Sequence, residues 1–161
     1  MHDPKVLAEV FLRNQWVIDE QTKGLTHADS LLQPEARGNC LNFILGHMLA
    51  NRETVLKILD LDPVLTDEQK NRYGYDSDPV QEDGPDVIPL EEMLAMVKKS
   101  GEVLVEKIAE LNAEDLEKDV KLGSSTATLG QRIEFFGWHD TYHVGQTEHL
   151  RQLAGTDDKV I

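Results

Sequence analysis

The sequence contains a single cysteine, Cys40, so no disulfide can close within the chain, which suits a reducing compartment. It is also poor in basic charge. Lys and Arg number 16 against 30 Asp and Glu, a formal net charge of −14. The cations are scattered rather than blocked. A nucleic-acid backbone or an anionic membrane surface needs a basic patch, so neither is expected as a partner. No apolar run approaches the ~20 residues that span a bilayer. The opening stretch MHDPKVLAEVFLRN is charged and lacks the apolar core of a signal peptide. The expectation is a soluble, cytoplasmic protein. Hydrophobic residues make up 40% of the 161 positions. That is enough for one domain over residues 1–161, burying roughly 70% of its unfolded surface.

Strand patterns are scarce as well, and four stretches carry helical periodicity instead. The first spans about Pro4 to Leu25, with the stripe Leu7, Val10, Phe11, Asn14, Val17, Ile18 and Gln21. The second follows Gly38-Asn39, with Asn39 as its expected N-cap, and runs to about Leu59. The third opens at Pro89, with Glu91 and Glu92 set against the positive helix end. The fourth begins near Thr128, where Thr128-Leu129-Gly130-Gln131 fits a capping box, and stops at Gly155. The link between the first two helices is the shorter one, favouring antiparallel neighbours. The Pro-, Gly- and Asp-rich segment from Asp60 to Ile88 is too long for a simple turn and reads as a crossover leaving helices two and three parallel. The expected fold is all-α, a four-helix bundle with one long crossover.

Chemistry concentrates in HDTYHVGQTEH, residues 139 to 149. At 100° per residue, His139, His143 and Gln146 share a face with Phe136, Leu150, Leu153 and Ala154, as a polar break in an apolar stripe. Unpartnered imidazoles on such a face would cost roughly 1–3 kcal/mol each. Two histidines at i and i+4 can ligate one metal ion, but two ligands make a weak site. The second helix offers a third, His47, near the middle of the face formed by Cys40, Phe43, Ile44, Asn51, Thr54, Val55 and Ile58. Cys40 lies about 10 Å from His47 along the axis, too far to ligate the same ion. A lone histidine on an apolar face is most often a packed core residue. The coincidence of three at similar depth favours a metal site.

The histidine spacing also matches the metzincin zinc signature HExxHxxGxxH. Against that, Asp140 stands where the general-base Glu belongs, and Gly145 comes one position early. The stripe continues through Leu150 and Leu153, so the helix should not break, and His149 then lies about 120° from His143. His149 is expected at the surface, outside the site.

Residues 42 to 53, NFILGHMLANRE, and 137 to 155, GWHDTYHVGQTEHLRQLAG, resemble the DinB/YfiT-like superfamily of helical-bundle metalloenzymes, and YGYDSDPVQEDGPDV is similar to that family's long loop. The resemblance implies an up-down-down-up bundle, frequent homodimers and a metal held by one histidine of helix two and an HxxxH of helix four, here His47, His139 and His143. It also implies a small-molecule substrate and thiol-dependent chemistry. A divalent ion such as Zn, Ni or Fe would lower the pKa of a thiol or water, and an S-transferase-like attack on a small electrophile would follow. A metal-dependent hydrolase, or a stress-response module that binds metal without turnover, is the alternative. Arg132 and Gln146 on the metal-side face are candidates for orienting the substrate, and Asn51, one turn after His47, for supporting a ligand. Trp138 and Tyr142 flank the stripe and are expected in the core or at a dimer interface.

Overall fold

The computed structural model describes residues 2–156 and 158–160. The chain is mostly helical, and four long helices form at the four periodic stretches. α1 (Pro4–Thr22) starts at Asp3, whose carboxylate accepts a hydrogen bond from the Lys5 amide, with Pro4 as the first helical residue. It ends short of Leu25 because the chain reverses at Gly24, where φ is +79°. A single turn, α2 (His27–Ser30), follows with a capping box between Thr26 and Asp29. α3 (Leu41–Ile58) is capped by Cys40 rather than Asn39, and Cys40 gives no side-chain capping bond. The crossover carries α4 (Asp67–Arg72) and places Leu65, Tyr73, Val80, Val87 and Ile88 in the core. α5 (Leu90–Ala109) begins one residue later than expected, with Pro89 as its N-cap.

A one-turn α6 (Ala113–Leu116) leads into a hairpin that the periodicity argument did not find. Strands β1 (Asp119–Leu122) and β2 (Ser125–Thr128) pair antiparallel, Asp119 opposite Thr128 and Leu122 opposite Ser125. Gly123 takes φ +58° in the intervening turn. α7 (Leu129–Leu153) then runs unbroken, starting from the Thr128–Gln131 capping box.

Side-chain pairings give the directions of neighbouring helices. Asn14 donates to the Gly137 carbonyl, and Arg151 donates to the Gln21 carbonyl, so α1 and α7 ascend together. Asn42 donates to Ile88 O and Arg52 to Val97 O, so α3 and α5 also run the same way. α3 and α7 are antiparallel: Val55 and Leu56 pack with Leu129 and Ile133, whereas Phe43 and Ile44 belong with Val144 and Leu150.

The core divides into two apolar halves. One gathers Ile18, Met48, Met93, Val97 and Val144, and the other Phe11, Val55, Leu104, Ile108 and Ile133. Between them each long helix contributes a buried polar residue: Asn14, Arg52, Ser100 and Asp140. This polar level lies beside the three histidines. Among the described residues no helix is long and apolar enough to cross a membrane.

Candidate metal centre

His47 on α3 meets His139 and His143 on α7. Their ring centroids are 5.2 and 5.1 Å from that of His47 and 4.5 Å from each other. One ligating nitrogen from each lies within 4.8 Å of the other two. All three side chains are half-buried. The i, i+4 spacing on a continuous helix puts the α7 pair one turn apart, and antiparallel packing brings His47 alongside.

Hydrogen bonds decide which ring nitrogens are free. His47 Nδ1 is 2.9 Å from the Tyr73 carbonyl. A carbonyl only accepts, so Nδ1 carries the proton and Nε2 presents a lone pair. His143 Nδ1 lies 2.7 Å from Gln146 Oε1, which fixes the same tautomer there. His143 Nε2 faces His139 Nε2 at 3.3 Å. That is close to the ~3.3 Å edge of a tetrahedral ion with ligands at about 2.0–2.1 Å. His139 Nδ1 is buried without a partner, while its Nε2 meets His143. The donor set fits a divalent ion held by three imidazoles.

Electrostatics agree. Desolvation, then the neighbouring His143 and His47, push the His139 pKa down to about 4. Burial also lowers His143, partly opposed by its bond to Gln146. Both are therefore neutral at pH 7, the form that binds metal without displacing a proton.

The remaining sequence candidates divide. Asn51 Nδ2 donates to the His47 carbonyl at 2.8 Å and lies 3.3 Å from His47 Nε2, at the edge of the cluster. Gln146 touches it through His143. Arg132 turns away: its guanidinium donates to Ser125 O at 2.8 Å and Ser125 Oγ at 2.7 Å, tying the hairpin to α7. Without the hairpin in view, its position on the metal-side face was misleading. His149 is exposed and outside the cluster, and α7 passes straight through Gly145, so the metzincin geometry does not form. Cys40 is buried with its Sγ 3.5 Å from Val80 O. The histidines also border the buried stripe of α7 rather than interrupting it. That stripe is Ile133, Phe136, Gly137, Asp140, Val144, Thr147, Leu150 and Arg151.

Two supports escaped the sequence reading. One is the Tyr73 carbonyl, which arrives from the crossover. The other is the ion pair between Arg52 and Asp140, Nε to Oδ2 2.6 Å, with both side chains 1% exposed. Arg52 Nη1 donates as well to Val97 O at 2.8 Å and Ser100 Oγ at 3.0 Å. Burial pushes the Asp140 carboxyl up, and Arg52 pulls it back down. Neither residue falls on the faces that periodicity picked out, so the stripes gave no sign of the pair. Asp140 follows His139 directly, so the pair anchors the ligand-bearing turn of α7 to α3.

Trp138 and Tyr142 are not core residues. With Phe135 they form a ladder on the outer face of α7, ring centroids 5.9 and 6.1 Å apart, and the Tyr142 ring meets His143 edge-on at 5.1 Å.

Comparisons with known proteins follow this geometry. The fold matches that of a crystal structure of a conserved protein from Enterococcus faecalis, with a TM-score of 0.74 over 97% of this chain and 99% of that one, at 15% sequence identity. At that identity the likeness concerns the fold alone. No curated protein matches the chain. A family described as a protein of unknown function, DUF1572, matches residues 5–159. The chain belongs to the DUF1572 family.

Proposed function

We propose that this protein is a divalent-metal-dependent enzyme of the DinB-like kind, an up-down-down-up four-helix bundle whose metal is held by His47, His139 and His143. The observation that carries the reading is the convergence of one ring nitrogen from each of three imidazoles, two of them with tautomers fixed by hydrogen bonds through Nδ1. Three protein ligands leave open positions, as in catalytic rather than structural zinc sites. A bound Zn, Ni or Fe ion would supply Lewis acidity, lowering the pKa of a thiol or water at neutral pH. The chain's own residues do the rest. Tyr73 O and Gln146 hold two rings in the ligating tautomer, which is the role outer hydrogen bonds play in metal sites. Asn51 offers an amide at the cluster's edge to orient a small-molecule substrate, and the half-buried setting limits competing water. S-transferase-like attack by a low-molecular-weight thiol on a small electrophile is the reaction that fits.

Elemental analysis of untagged protein tests this. About one metal per chain is expected in wild type and in His149→Ala, and little in His47→Ala. Metal retained by His47→Ala but lost from His149→Ala would sink the three-histidine site between α3 and α7. Product formed without added thiol would make the protein a hydrolase, and metal binding without turnover would make it a binding module.

The ladder on α7 is proposed as the contact with a second copy. Phe135, Trp138 and Tyr142 are 52, 60 and 58% exposed, and Glu134, one turn before Trp138, is paired with His2. In a chain of net charge −14, an uncharged aromatic strip is where two copies approach with least repulsion. Sedimentation should show a dimer in wild type and a monomer in Trp138→Glu. A monomeric wild type would end this reading.

A further inference from the structure

Five surface clefts differ in the charge of their walls. Three carry two or more carboxylates each: Asp19 and Glu91 in one, Glu68, Asp86 and Glu92 in another, Glu53, Asp60 and Asp67 in the third. The other two contain none, and these two flank the histidine centre. The first, about 390 Å³, is walled by Phe43 and Arg37. The Phe43 ring stacks on His47, centroids 6.0 Å apart and planes within 8°. The second, about 300 Å³, is walled by Asn51, Thr54, Lys70, Asn71 and Tyr75, with Lys70 on the rim it shares with the acid-lined third cleft. Asn51 is the residue whose amide lies 3.3 Å from His47 Nε2. Among the described residues neither Arg37 nor Lys70 forms an ion pair, whereas Arg72, two residues after Lys70, is bound to Asp86.

A surface of net charge −14 repels anions, so a negatively charged ligand reaches this centre only if its immediate surroundings are cleared of carboxylates and carry a free cation. The walls of the two clefts beside the histidines meet both conditions, Lys70 standing at the edge of the second; the third cleft also has cations, Lys57 and Lys70, but sets them among Glu53, Asp60 and Asp67. We infer that the small molecule served by the histidine centre carries a carboxylate, which seats in the Asn51–Tyr75 cleft against Lys70. Lys70 supplies the charge, and Asn51, Thr54 and Asn71 supply neutral hydrogen bonds that hold the ligand's polar body. Arg37, on the opposite side of His47, adds field without direct contact. This inference rests on the proposed metal centre for the ligand's role, but its binding chemistry is separable from the metal.

The test uses metal-free protein, with glutarate and its neutral analogue glutaramide as probes. The readout is the shift of the Asn51 and Asn71 side-chain amide signals by nuclear magnetic resonance at low salt. Wild type should bind glutarate about fivefold more tightly than glutaramide, the scale of one partly exposed charge contact. Lys70→Glu should reverse that preference. Lys57→Glu makes the same change in net charge at an exposed position on an acid-lined cleft, and should leave it standing. Equal binding of the two probes by wild type, or a preference that survives in Lys70→Glu, overturns the inference. So does loss of preference in Lys57→Glu to the same degree, because the effect would then be one of net charge. Metal uptake is measured separately: a protein that takes up no metal yet prefers glutarate through Lys70 refutes the metal centre and keeps the anion site.

Discussion

Asp140→Ala will lower the stability of the fold by about 3–5 kcal/mol, the cost of leaving one member of a buried ion pair unpaired. For a chain of this length that corresponds to a fall in Tm of roughly 10 °C. The size of the effect follows from the position of Arg52. Its guanidinium sits between two apolar half-cores, 1% exposed, and among the described residues Asp140 is its only carboxylate partner. Removing Asp140 strands a cation that water cannot reach. Burying the pair does not by itself imply that it adds stability, because desolvating two charges offsets most of their attraction. The double replacement Arg52→Met/Asp140→Leu should therefore recover most of what Asp140→Ala loses. Ser100 Oγ would still donate to Val97 O, so no donor is orphaned by the change.

The two variants separate two roles. Polar residues at one level of all four long helices, Asn14, Arg52, Ser100 and Asp140, fix how far each helix slides along its neighbours. Asp140 lies one residue from His139, and Arg52 five from His47, so sliding by even one turn would part the ligands. If the pair specifies register, the double variant will be stable in urea yet bind metal at least tenfold more weakly, as losing an outer support typically does. Full stability with undiminished metal affinity would mean that the apolar packing alone sets the register.

The four long helices were legible because each buries one face, and burial of one face is what helical periodicity records. Thr128 and Gln131 marked the start of α7 because capping chemistry is local. The histidine trio was legible for the same reason: i, i+4 on one helix and a mid-face position on another. What the periodicity misjudged was which direction on α7 points inward. It weighed His139 and His143 with Phe136 and Leu150 and left out Asp140, Thr147 and Arg151, all of which are buried. A charged residue is buried only when its partner is supplied by another helix, and that partner is a tertiary fact. The hairpin is a different case. Val120-Lys121-Leu122 and Ser125-Thr126-Ala127-Thr128 flank a two-residue Gly-Ser connection, a recognised hairpin signal, in a short and mostly exposed stretch. Missing it left Arg132 assigned to the metal side, when its guanidinium is committed to Ser125.

Gly46→Ala will have the other large effect, although it adds a single methyl group in the middle of a helix, where alanine is ordinarily favoured by about 1 kcal/mol. A Cβ at Gly46 would overlap Cγ, Cδ1 and Cε1 of the Tyr73 ring. That ring has nowhere to go. It is fully buried, and its hydroxyl donates to Asn42 Oδ1 at 2.8 Å while accepting from the Ile88 amide at 2.9 Å. Displacing it breaks those bonds and adds strain to a filled core, a cost of about 3 kcal/mol. The consequence reaches the metal centre, because the Tyr73 carbonyl is what holds His47 Nδ1–H. Metal affinity should therefore drop along with the denaturation midpoint. Gly145→Ala is the control on α7: nothing lies within 4 Å of its added Cβ, so the same substitution two residues from His143 should raise stability slightly and leave metal binding intact. If Gly46→Ala behaves like Gly145→Ala, the crossover is not pressed against α3 through Tyr73. His47 would then be oriented by something other than the segment that separates the two halves of the chain.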